Sequence, residues 1–306
     1  MDNFQIYEEI GKGSSSVVYK GRKRKTIEYA AVKCIEKHHK QKVFNEAKVL
    51  NMLSHTNVLK FHSWYETTNH YWIIVEFCTG DLMTLISQDQ KLPEEAIHLF
   101  ALDIVNGLQY VHSRGVVYCD LKPSNILIDG CGILKLSGFG LSKLMTEIDQ
   151  SLSSPLSTPP TATSASEKPS DGKLKRGTLC YTAPELLLGG FHSVYSDFWS
   201  LGCILYEMAS GKPPFVGSSP EQTMELILNS ELKPIENCSE ELNDLIKTLL
   251  QKNPLDRITW DELREHTFWK EKIVAPPEEL RKHLHPLLFI SMELNLFIQK
   301  LPKAKM

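Results

Sequence analysis

The run from Tyr118 to Leu127 combines residue types that suit phosphoryl transfer. Asp120 and Asn125 place a carboxylate and a carboxamide five positions apart, on what the pattern indicates is a loop between a helix and a strand. The carboxylate can orient a substrate hydroxyl, and the carboxamide oxygen can bind Mg²⁺. We therefore predict that Asp120 and Asn125 are catalytic and that Asn125 is also a metal ligand.

A glycine-containing turn near the N-terminus is a second candidate site. Gly11 and Gly13 lie between two strand-like segments, and glycines let a backbone come close enough to a phosphate to donate its N–H groups. Alone this signal is weak, because a tight hairpin uses glycines in the same way. It gains weight from Lys33, which stands in the apolar run Ala31-Val32-Lys33 and needs an anion to justify burial. Glu46, on the helix that follows, is the natural counter-charge.

Hydrophobic periodicity predicts the elements that position these residues. Alternating apolar and polar residues within 4–33 favour antiparallel strands, and 43–53 and 71–75 favour a helix and a buried strand. Helical patterns dominate afterwards, interrupted by two strand-like segments at 126–128 and 133–136; the helical patterns lie at 94–112, 197–209, 221–229, 240–250 and 260–265. We predict an α+β fold with a small antiparallel-sheet N-terminal lobe, which carries one main helix, and a larger, mostly helical C-terminal lobe.

Composition argues against several classes of function. The 306 residues carry 34 Lys and Arg against 37 Asp and Glu, a formal net charge of −3, whereas general nucleic-acid and membrane-surface binders usually have a basic excess. Seven scattered cysteines without a C-x-x-C pair are typical of reduced thiols in the cytosol. No run reaches the roughly 18 apolar residues of a membrane span. These features predict a cytoplasmic protein that binds no nucleic acid and spans no membrane.

The motifs, in their order along the chain, resemble those of the eukaryotic protein kinases over about residues 4–270. Besides the Asp120 run, the landmarks are Ala183-Pro184-Glu185, Asp197 to Gly202, Pro213-Pro214-Phe215 and Arg257. The resemblance implies the bilobal kinase fold and ATP bound in the cleft. It also implies that Lys122, as in the serine/threonine branch, contacts the transferring phosphate as a third catalytic residue, that Glu185 pairs with Arg257, and that Asp197 braces the catalytic loop.

The same resemblance implies an adenine pocket. Glu76-Phe77-Cys78 would be the hinge that binds adenine through its backbone, Val75 the gatekeeper, and Val18, Ala31 and Leu127 the side chains that close on the ring. The predicted cofactor-binding set is therefore Gly11, Gly13, Val18, Ala31, Lys33, Glu46, Val75, Glu76, Cys78 and Leu127.

Three positions depart from the kinase pattern. In Leu136-Ser137-Gly138-Phe139-Gly140, Gly138 replaces the aspartate that would hold Mg²⁺, so one metal site keeps only Asn125. Losing one such interaction costs on the order of 3–4 kcal/mol, a hundred- to a thousand-fold in rate. Cys119 replaces an arginine that would receive an activating phosphate, and Ser16 replaces a third glycine. We expect Mg²⁺ binding to be weak or absent.

Two hypotheses follow from these residues. One is a pseudokinase whose nucleotide-bound fold serves as a scaffold, motivated by Gly138. The other is an active serine/threonine kinase with reduced or metal-independent turnover, motivated by the retained Lys33, Asp120 and Asn125. Four apolar residues could stack into a column as in kinases whose helix is in the active position; they are Leu50, Phe61, Tyr118 and Phe139. The alternative is ordinary core packing, which is favoured unless Lys33 and Glu46 pair.

Within the kinases, the chain resembles the Unc-51-like group, in particular the branch of the fourth Unc-51-like kinase and its plant relative. The residues that carry this resemblance are 6–11, 19–22, 64–67, 119–120 and 181–185. It implies a pseudokinase or degraded kinase with microtubule or ciliary protein partners, located in the cytoplasm, the cytoskeleton or the cilium. A Gly-Phe-Gly motif also occurs in the kinase-like domain of the membrane-associated guanylate kinase group, which resembles a slow, metal-independent phosphotransferase and keeps activity open.

The chain is predicted to divide into an N-terminal lobe with hinge at 1–78, a C-terminal lobe at 79–270 and a helical extension at 271–306. The extension is expected to dock on the C-terminal lobe, with partner binding as the alternative. A Ser/Thr/Pro-rich insert at about 146–171 is too poor in apolar residues to order, and its role is passive or regulatory. Nine basic and two acidic residues lie between Lys20 and Lys42. This basic segment has three interpretations: it neutralises nucleotide phosphates, it binds an acidic partner, or it is a charged sheet edge protected from pairing.

Overall fold

The N-terminal lobe is an antiparallel sheet with one long helix packed against it. The computed structural model describes residues 3–13, 16–148 and 176–270. The sheet has the strand order β1-β2-β3-β5-β4, and these strands are β1 (Phe4–Lys12), β2 (Ser16–Lys23), β3 (Tyr29–Glu36), β4 (Phe61–Glu66) and β5 (His70–Glu76). Helix α1 (Lys40–Met52) follows β3 after a single 3-10 turn at Lys37–His39.

The register of the sheet brings the predicted nucleotide-binding residues onto one face. Val18 lies opposite Lys33 in the β2–β3 pair, and Ala31 lies opposite Val75 in the β3–β5 pair. Residues that face each other across antiparallel strands share a face, as do residues two apart along one strand. All four side chains therefore point to the same side, where Ala31 and Val75 join the main core and Val18 packs against it.

The C-terminal lobe is built around one helix that is buried on nearly all sides. Helix α6 (Val194–Ser210) begins with a capping box between Ser193 and Ser196 and ends at Gly211, whose φ of +81° suits glycine. The other helices are α2 (Leu82–Asp89), α3 (Glu94–Ser113), α4 (Arg176–Leu179), α5 (Pro184–Leu187), α7 (Pro220–Asn229), α8 (Glu240–Leu249) and α9 (Trp260–Glu265). None of the helices in the described ranges is long and apolar enough to cross a membrane.

Five short strands complete this lobe. They are β6 (Gly80–Asp81), β7 (Val116–Val117), β8 (Ile126–Ile128), β9 (Leu134–Leu136) and β10 (Lys143–Leu144). The first, third and fourth pair as β6-β8-β9, and β7 pairs with β10. The loop between β7 and β8 carries Asp120 and Asn125, so the short strands hold that loop at both ends.

The predicted α+β class and the bilobal arrangement are confirmed. Four strands were missed: the two-residue strands β6, β7 and β10, and β4, which completes the N-terminal sheet as an edge strand and whose residues alternate between half-buried and exposed. The predicted extension at 271–306 lies outside the described residues. The predicted insert at about 146–171 lies outside them from residue 149 onward.

Candidate active site

A buried aspartate holds the start of the catalytic loop. The carboxylate of Asp197 accepts hydrogen bonds from the backbone N–H of Tyr118 at 2.8 Å and of Cys119 at 2.9 Å, and contacts His112 Nε2 at 2.8 Å. Trp260 Nε1 donates to His112 Nδ1 at 3.2 Å, so the proton of this imidazole lies on Nε2 and points to the carboxylate. These contacts hold Cys119 at a φ of +69°, a conformation that side-chain-bearing residues rarely adopt.

The carboxylate of Asp120 is fixed by two neighbours on its own loop. Lys122 Nζ lies 2.7 Å and 2.8 Å from the two carboxylate oxygens. Asn125 Nδ2 donates to the Asp120 backbone oxygen and to its Oδ2, both at 2.8 Å. The three predicted catalytic residues therefore form one hydrogen-bonded cluster, in which the amide of Asn125 is turned toward Asp120 as a donor.

Gly138 lies directly beside this cluster. Its φ of +74° is in the left-handed region, and a Cβ at this position would stand 2.8 Å from Asn125 Cγ and 3.0 Å from both Asn125 Nδ2 and Oδ1. The carboxamide thus fills the space that a side chain at position 138 would enter. Tyr118 donates its hydroxyl hydrogen bond to the backbone oxygen of Ser137, which fixes the chain just before this glycine.

A Mg²⁺ ion fits this donor set poorly. Hard divalent cations need several oxygen ligands, but position 138 offers none and both Asp120 oxygens already face the Lys122 ammonium. The described ranges contain no group of three or more His, Cys, Asp or Glu side chains that could hold a metal ion. Asn125 Oδ1 is the remaining ligand that the sequence predicted for this position.

Lys33 and Glu46 form an ion pair across the inner side of the N-terminal lobe. Lys33 Nζ lies 2.9 Å from Glu46 Oε1 and 2.8 Å from Oε2, so the ammonium bridges both oxygens. The Glu46 side chain is 8% exposed and that of Lys33 is 27% exposed. The lysine therefore keeps one side open toward the cleft, where its positive charge can meet an anion.

Helix α1 is tied to the segment that follows Gly138. Asn45 Nδ2 lies 2.8 Å from the backbone oxygen of Ser142 and 3.2 Å from those of Phe139 and Gly140. The ring of Phe139 is fully buried and meets Tyr118 edge to face, with centroids 4.9 Å apart. Three members of the predicted apolar column, Leu50, Tyr118 and Phe139, lie in one buried cluster, and Phe61 packs against it.

The predicted adenine pocket joins residues from both lobes. Ala31 and Val75 are buried, while Val18 from β2 and Leu127 from β8 are half-buried against the same core. The hinge begins at Glu76, which ends β5. Burial raises the pKa of the Cys78 thiol to about 12, with Glu76 and Asp129 acting in the same direction, so this cysteine stays a neutral thiol.

Main-chain bonds and one buried lysine fix the start of the hinge. The backbone N–H of Glu76 donates to the Lys60 oxygen at 2.9 Å, and its carboxylate accepts from the Lys60 N–H at 2.6 Å. Lys135 Nζ lies 3.2 Å from Glu76 Oε2 and donates to the Thr56 oxygen at 2.9 Å. This geometry leaves the side chain of Glu76 turned toward Lys60 and Lys135.

The phosphate-loop candidates lie at the tip of the first hairpin. Gly11 pairs with Val18, and the Gly13 N–H donates to the Ser16 oxygen at 2.8 Å. The two serines between them, 14 and 15, lie outside the described residues. Gly11 on β1 therefore lies beside Val18 on β2, and Val18 in turn lies opposite Lys33 on β3.

Sequence reasoning missed Asn45 and Lys135. Lys135 had a usable signal, because it stands between two leucines in β9 just as Lys33 stands in an apolar run. Asn45 had none, since it is one polar residue among several in the first turns of α1. Both contribute to the site by holding backbone in place.

The fold and this arrangement of residues define a protein kinase domain. The protein family described as Protein kinase domain matches residues 4–269, and the chain belongs to this family. Glu185 and Arg257 form a two-armed ion pair within it, with distances of 2.7 Å and 2.6 Å.

Relatives named as serine/threonine-protein kinases occur in both a plant and an animal. RUNKEL of Arabidopsis thaliana is 49% identical over 276 residues, ULK4 of Mus musculus 41% over 284 residues, and TIO of Arabidopsis thaliana 32% over 276 residues. Each alignment covers 89% of this chain. The predicted resemblance to the Unc-51-like group, and to its fourth member and the plant relative of that member, is confirmed.

The chain is much shorter than these relatives. It covers 19% of the length of RUNKEL, 22% of ULK4 and 19% of TIO. The similarity therefore concerns their kinase domains.

Proposed function

We propose that this chain is an ATP-binding serine/threonine protein kinase homologue with an impaired Mg²⁺ site, and that it works as a pseudokinase scaffold. The observation that carries the proposal is the pair Gly138 and Asn125: no carboxylate stands at 138, and the Asn125 amide fills its space. Neutralising the charge of the transferring phosphoryl group is a main part of kinase catalysis. Without the aspartate, the positive side chains of the protein must neutralise this charge.

The retained cations support nucleotide binding without a metal. Lys33 is held by Glu46 with one side open to the cleft, and Lys122 lies on the catalytic loop. Charge-assisted hydrogen bonds from ammonium groups to phosphate oxygens are stronger than neutral ones. ATP would then sit between the adenine pocket residues and these two lysines, with Gly11 and Gly13 above the phosphates.

A second candidate is a serine/threonine kinase with reduced or metal-independent turnover. The observation that favours it is the oriented Asp120, whose carboxylate is fixed by Lys122 and Asn125 and whose loop is braced by Asp197. A carboxylate in that position is placed to accept the proton of a substrate hydroxyl. The two candidates share ATP binding and differ only in whether the phosphoryl group is transferred.

The test combines nucleotide binding with transfer in the same samples. The melting temperature of the full chain is measured with ATP in Mg²⁺ and in EDTA, followed by phosphate transfer to a generic serine/threonine substrate. We expect equal stabilisation in both buffers and no transfer. Stabilisation that requires Mg²⁺, together with transfer, would contradict the scaffold assignment, and no stabilisation in either buffer would contradict nucleotide binding altogether.

One variant separates the candidates, and a second serves as a control. Asp120→Asn removes the carboxylate with little change in shape. If phosphate transfer is seen in the unchanged protein and lost in this variant, the chain itself catalyses the transfer and is a working kinase. Lys33→Met should reduce stabilisation by ATP under both hypotheses, and it is the matched control for non-specific effects of the nucleotide.

The proposal extends to location and partners. From the resemblance to the Unc-51-like group, we propose a cytoplasmic location at the cytoskeleton or the cilium, with microtubule or ciliary proteins as partners. Co-sedimentation of the full chain with assembled microtubules at low and high salt tests this, because an interaction carried by the basic segment 20–42 weakens as salt screens it. Absence of the chain from the pellet at low salt would contradict the microtubule partner.

A further inference from the structure

The C-terminal lobe contains a cavity whose lining residues are different from those of the nucleotide site. Its volume is about 990 Å³, at the upper end of the roughly 300–1,000 Å³ range of small-molecule sites. Helix α8 forms one wall, and residues 228–234, which continue from the end of α7, form the other. The side chain of Asn243 joins the two walls, because it accepts from the Ile235 N–H at 2.8 Å and donates to the Ile235 oxygen at 3.1 Å. We call this space the α7–α8 cavity.

Lys252 lines this cavity, and its ammonium lies against aromatic rings. Its Nζ is 3.8 Å from the ring centroid of Phe215 and 5.2 Å from that of Trp199. The two rings are buried and stacked, with centroids 5.7 Å apart. The same Nζ donates to the backbone oxygen of Ile227 at 2.5 Å, in the last turn of α7, where carbonyl oxygens lack helical partners. Two rings and one neutral carbonyl therefore hold the lysine in a single place.

The charges around Lys252 favour its neutral amine. Arg257 Cζ is 5.2 Å from the centroid of the same Trp199 ring, so a second cation shares this aromatic surface. Glu185 binds both arms of Arg257, whereas Lys252 donates to an uncharged oxygen. Burial lowers the pKa of Lys252 to about 8, with Arg257 acting in the same direction and Cys203 acting against it. At about pH 7.4 roughly a fifth of such a lysine is the free amine, against about a thousandth of an ordinary lysine.

The lining of the cavity indicates which reagent the amine can meet. Proteins use lysines that are desolvated or lie next to another cation to attack carbonyl carbon atoms. Lys252 is half-buried, so a molecule in the cavity can reach it. Apolar side chains of the lining, among them Leu232, Ile246 and Leu250, suit an acyl chain. Four carboxylates against two further lysines disfavour an acyl group that ends in a carboxylate; the carboxylates belong to Glu231, Glu240, Glu241 and Asp244.

We propose that Lys252 is an acylation site, where its amine attacks an acyl thioester and the α7–α8 cavity holds the uncharged acyl chain. The nitrogen forms a bond to the carbonyl carbon while the carbon–sulfur bond breaks. The proton of the nitrogen passes to the leaving thiolate, so the products are an amide and a free thiol. Because the amide is uncharged, the modification removes a cation from the Phe215 ring and from the end of α7. The inference is independent of nucleotide binding and of phosphoryl transfer.

The test treats the full chain with a small soluble thioester, S-butyryl-N-acetylcysteamine, at about pH 7.4. Digestion at glutamate and mass spectrometry then give the rate of butyrylation at each lysine. Lys247 and Lys212 are internal controls, since Lys247 lines the same cavity and both are exposed residues of the same lobe. We expect Lys252 to react about tenfold faster or more than either control. In concentrated urea the three rates should become similar, because the fold no longer distinguishes the lysines.

Matched reagents and one variant test the role of the cavity. The rate at Lys252 relative to Lys212 should be higher for the butyryl thioester than for the acetyl thioester, and lower for the succinyl thioester, which carries a carboxylate. The Lys252 rate should also rise with pH and reach half of its maximum near pH 8. Lys252→Arg keeps the positive charge, so its melting temperature should change little while the label at 252 is lost. In the butyrylated protein, hydrogen exchange should increase at the end of α7, where Ile227 has lost a cation.

Several outcomes would overturn the proposal. Equal rates at Lys252 and Lys212 in the folded chain, or no label on Lys252 at any pH, would show that the lysine only caps α7 and packs on the rings. A faster rate at Lys252 that persists in urea would assign the reactivity to the neighbouring sequence and not to the cavity. A succinyl thioester that reacts as fast as the butyryl thioester would show that the cavity does not select the acyl group.

Discussion

The carboxamide of Asn125 and the backbone of Gly138 occupy adjoining positions, so that a side chain at 138 would begin 2.8 Å from Asn125 Cγ. The missing aspartate and the orientation of the asparagine are therefore one feature. The carboxamide of Asn125 lies in that space and donates to Asp120. Both positions that the kinase pattern would use as metal ligands are involved in this one contact.

Replacing Gly138 with aspartate tests this relationship. The new Cβ must displace Asn125 and adopt a left-handed conformation, which costs about 1–2 kcal/mol, so the melting temperature without nucleotide should fall. The carboxylate should also make stabilisation by ATP depend on Mg²⁺. Gly138→Ala is the control: it has the same Cβ without a carboxylate, so it should lose stability and gain no Mg²⁺ dependence. Equal Mg²⁺ responses in the two variants would contradict the prediction.

Lys33→Met should weaken ATP binding. The lysine offers charge-assisted hydrogen bonds worth about 1.5–3 kcal/mol, which corresponds to roughly ten- to a hundredfold in Kd measured by titration calorimetry. The variant should also melt at a lower temperature, because the buried Glu46 carboxylate loses its ion-pair partner. In the double variant Lys33→Met with Glu46→Gln, stability should recover while the affinity for ATP stays low. Recovery of both would assign the loss to folding.

Asn45→Ala should loosen helix α1. The variant removes an amide that lies within 3.2 Å of three backbone oxygens, with an expected loss of about 1–2 kcal/mol in the free energy of unfolding. Hydrogen exchange should increase in α1 and in residues 139–142. Asn51→Ala, at an exposed position of the same helix, controls for helix propensity and should change neither. Unchanged exchange in Asn45→Ala would show that packing of Phe139 alone holds the helix.

His98 should make the stability depend on pH. Burial lowers its pKa below the ordinary value of 6.5, so below about pH 6.5 the unfolded chain binds more protons than the folded chain. The stability from the neutral imidazole is complete above that pH and is lost as the pH falls toward the lower folded pKa. In urea unfolding, His98→Phe should reduce this slope while keeping a ring against Phe268 and Trp269.

The slope should be reduced and not abolished in His98→Phe. His55, His62 and His192 also have pKa values lowered mainly by burial, and they remain in the variant. Glu207, whose pKa is raised by burial, acts in the opposite direction and is unchanged, so the difference between the two proteins isolates His98. An identical pH dependence in both proteins would contradict the assignment.

Sequence patterns predicted the order of the elements because apolar periodicity records which side of each element is buried. The helix predicted at 260–265 and the strand at 126–128 have those same bounds in the structure. Strand β4 was missed because its alternation of Phe61, Ser63 and Tyr65 with exposed residues includes polar residues on the buried side. Site geometry needed the tertiary structure: the spacing of Asn125 and Gly138 says nothing about which way an amide turns.

The single 3-10 turn at Lys37–His39 makes the connection between β3 and α1 short. Asn45 also binds the flank of α1 to the backbone of Ser142. Helix α1 is therefore restrained both at its start and along one flank. A restraint at two points opposes the swinging of this helix as a rigid body, so a ligand that needs the helix displaced must also break the Asn45 hydrogen bonds.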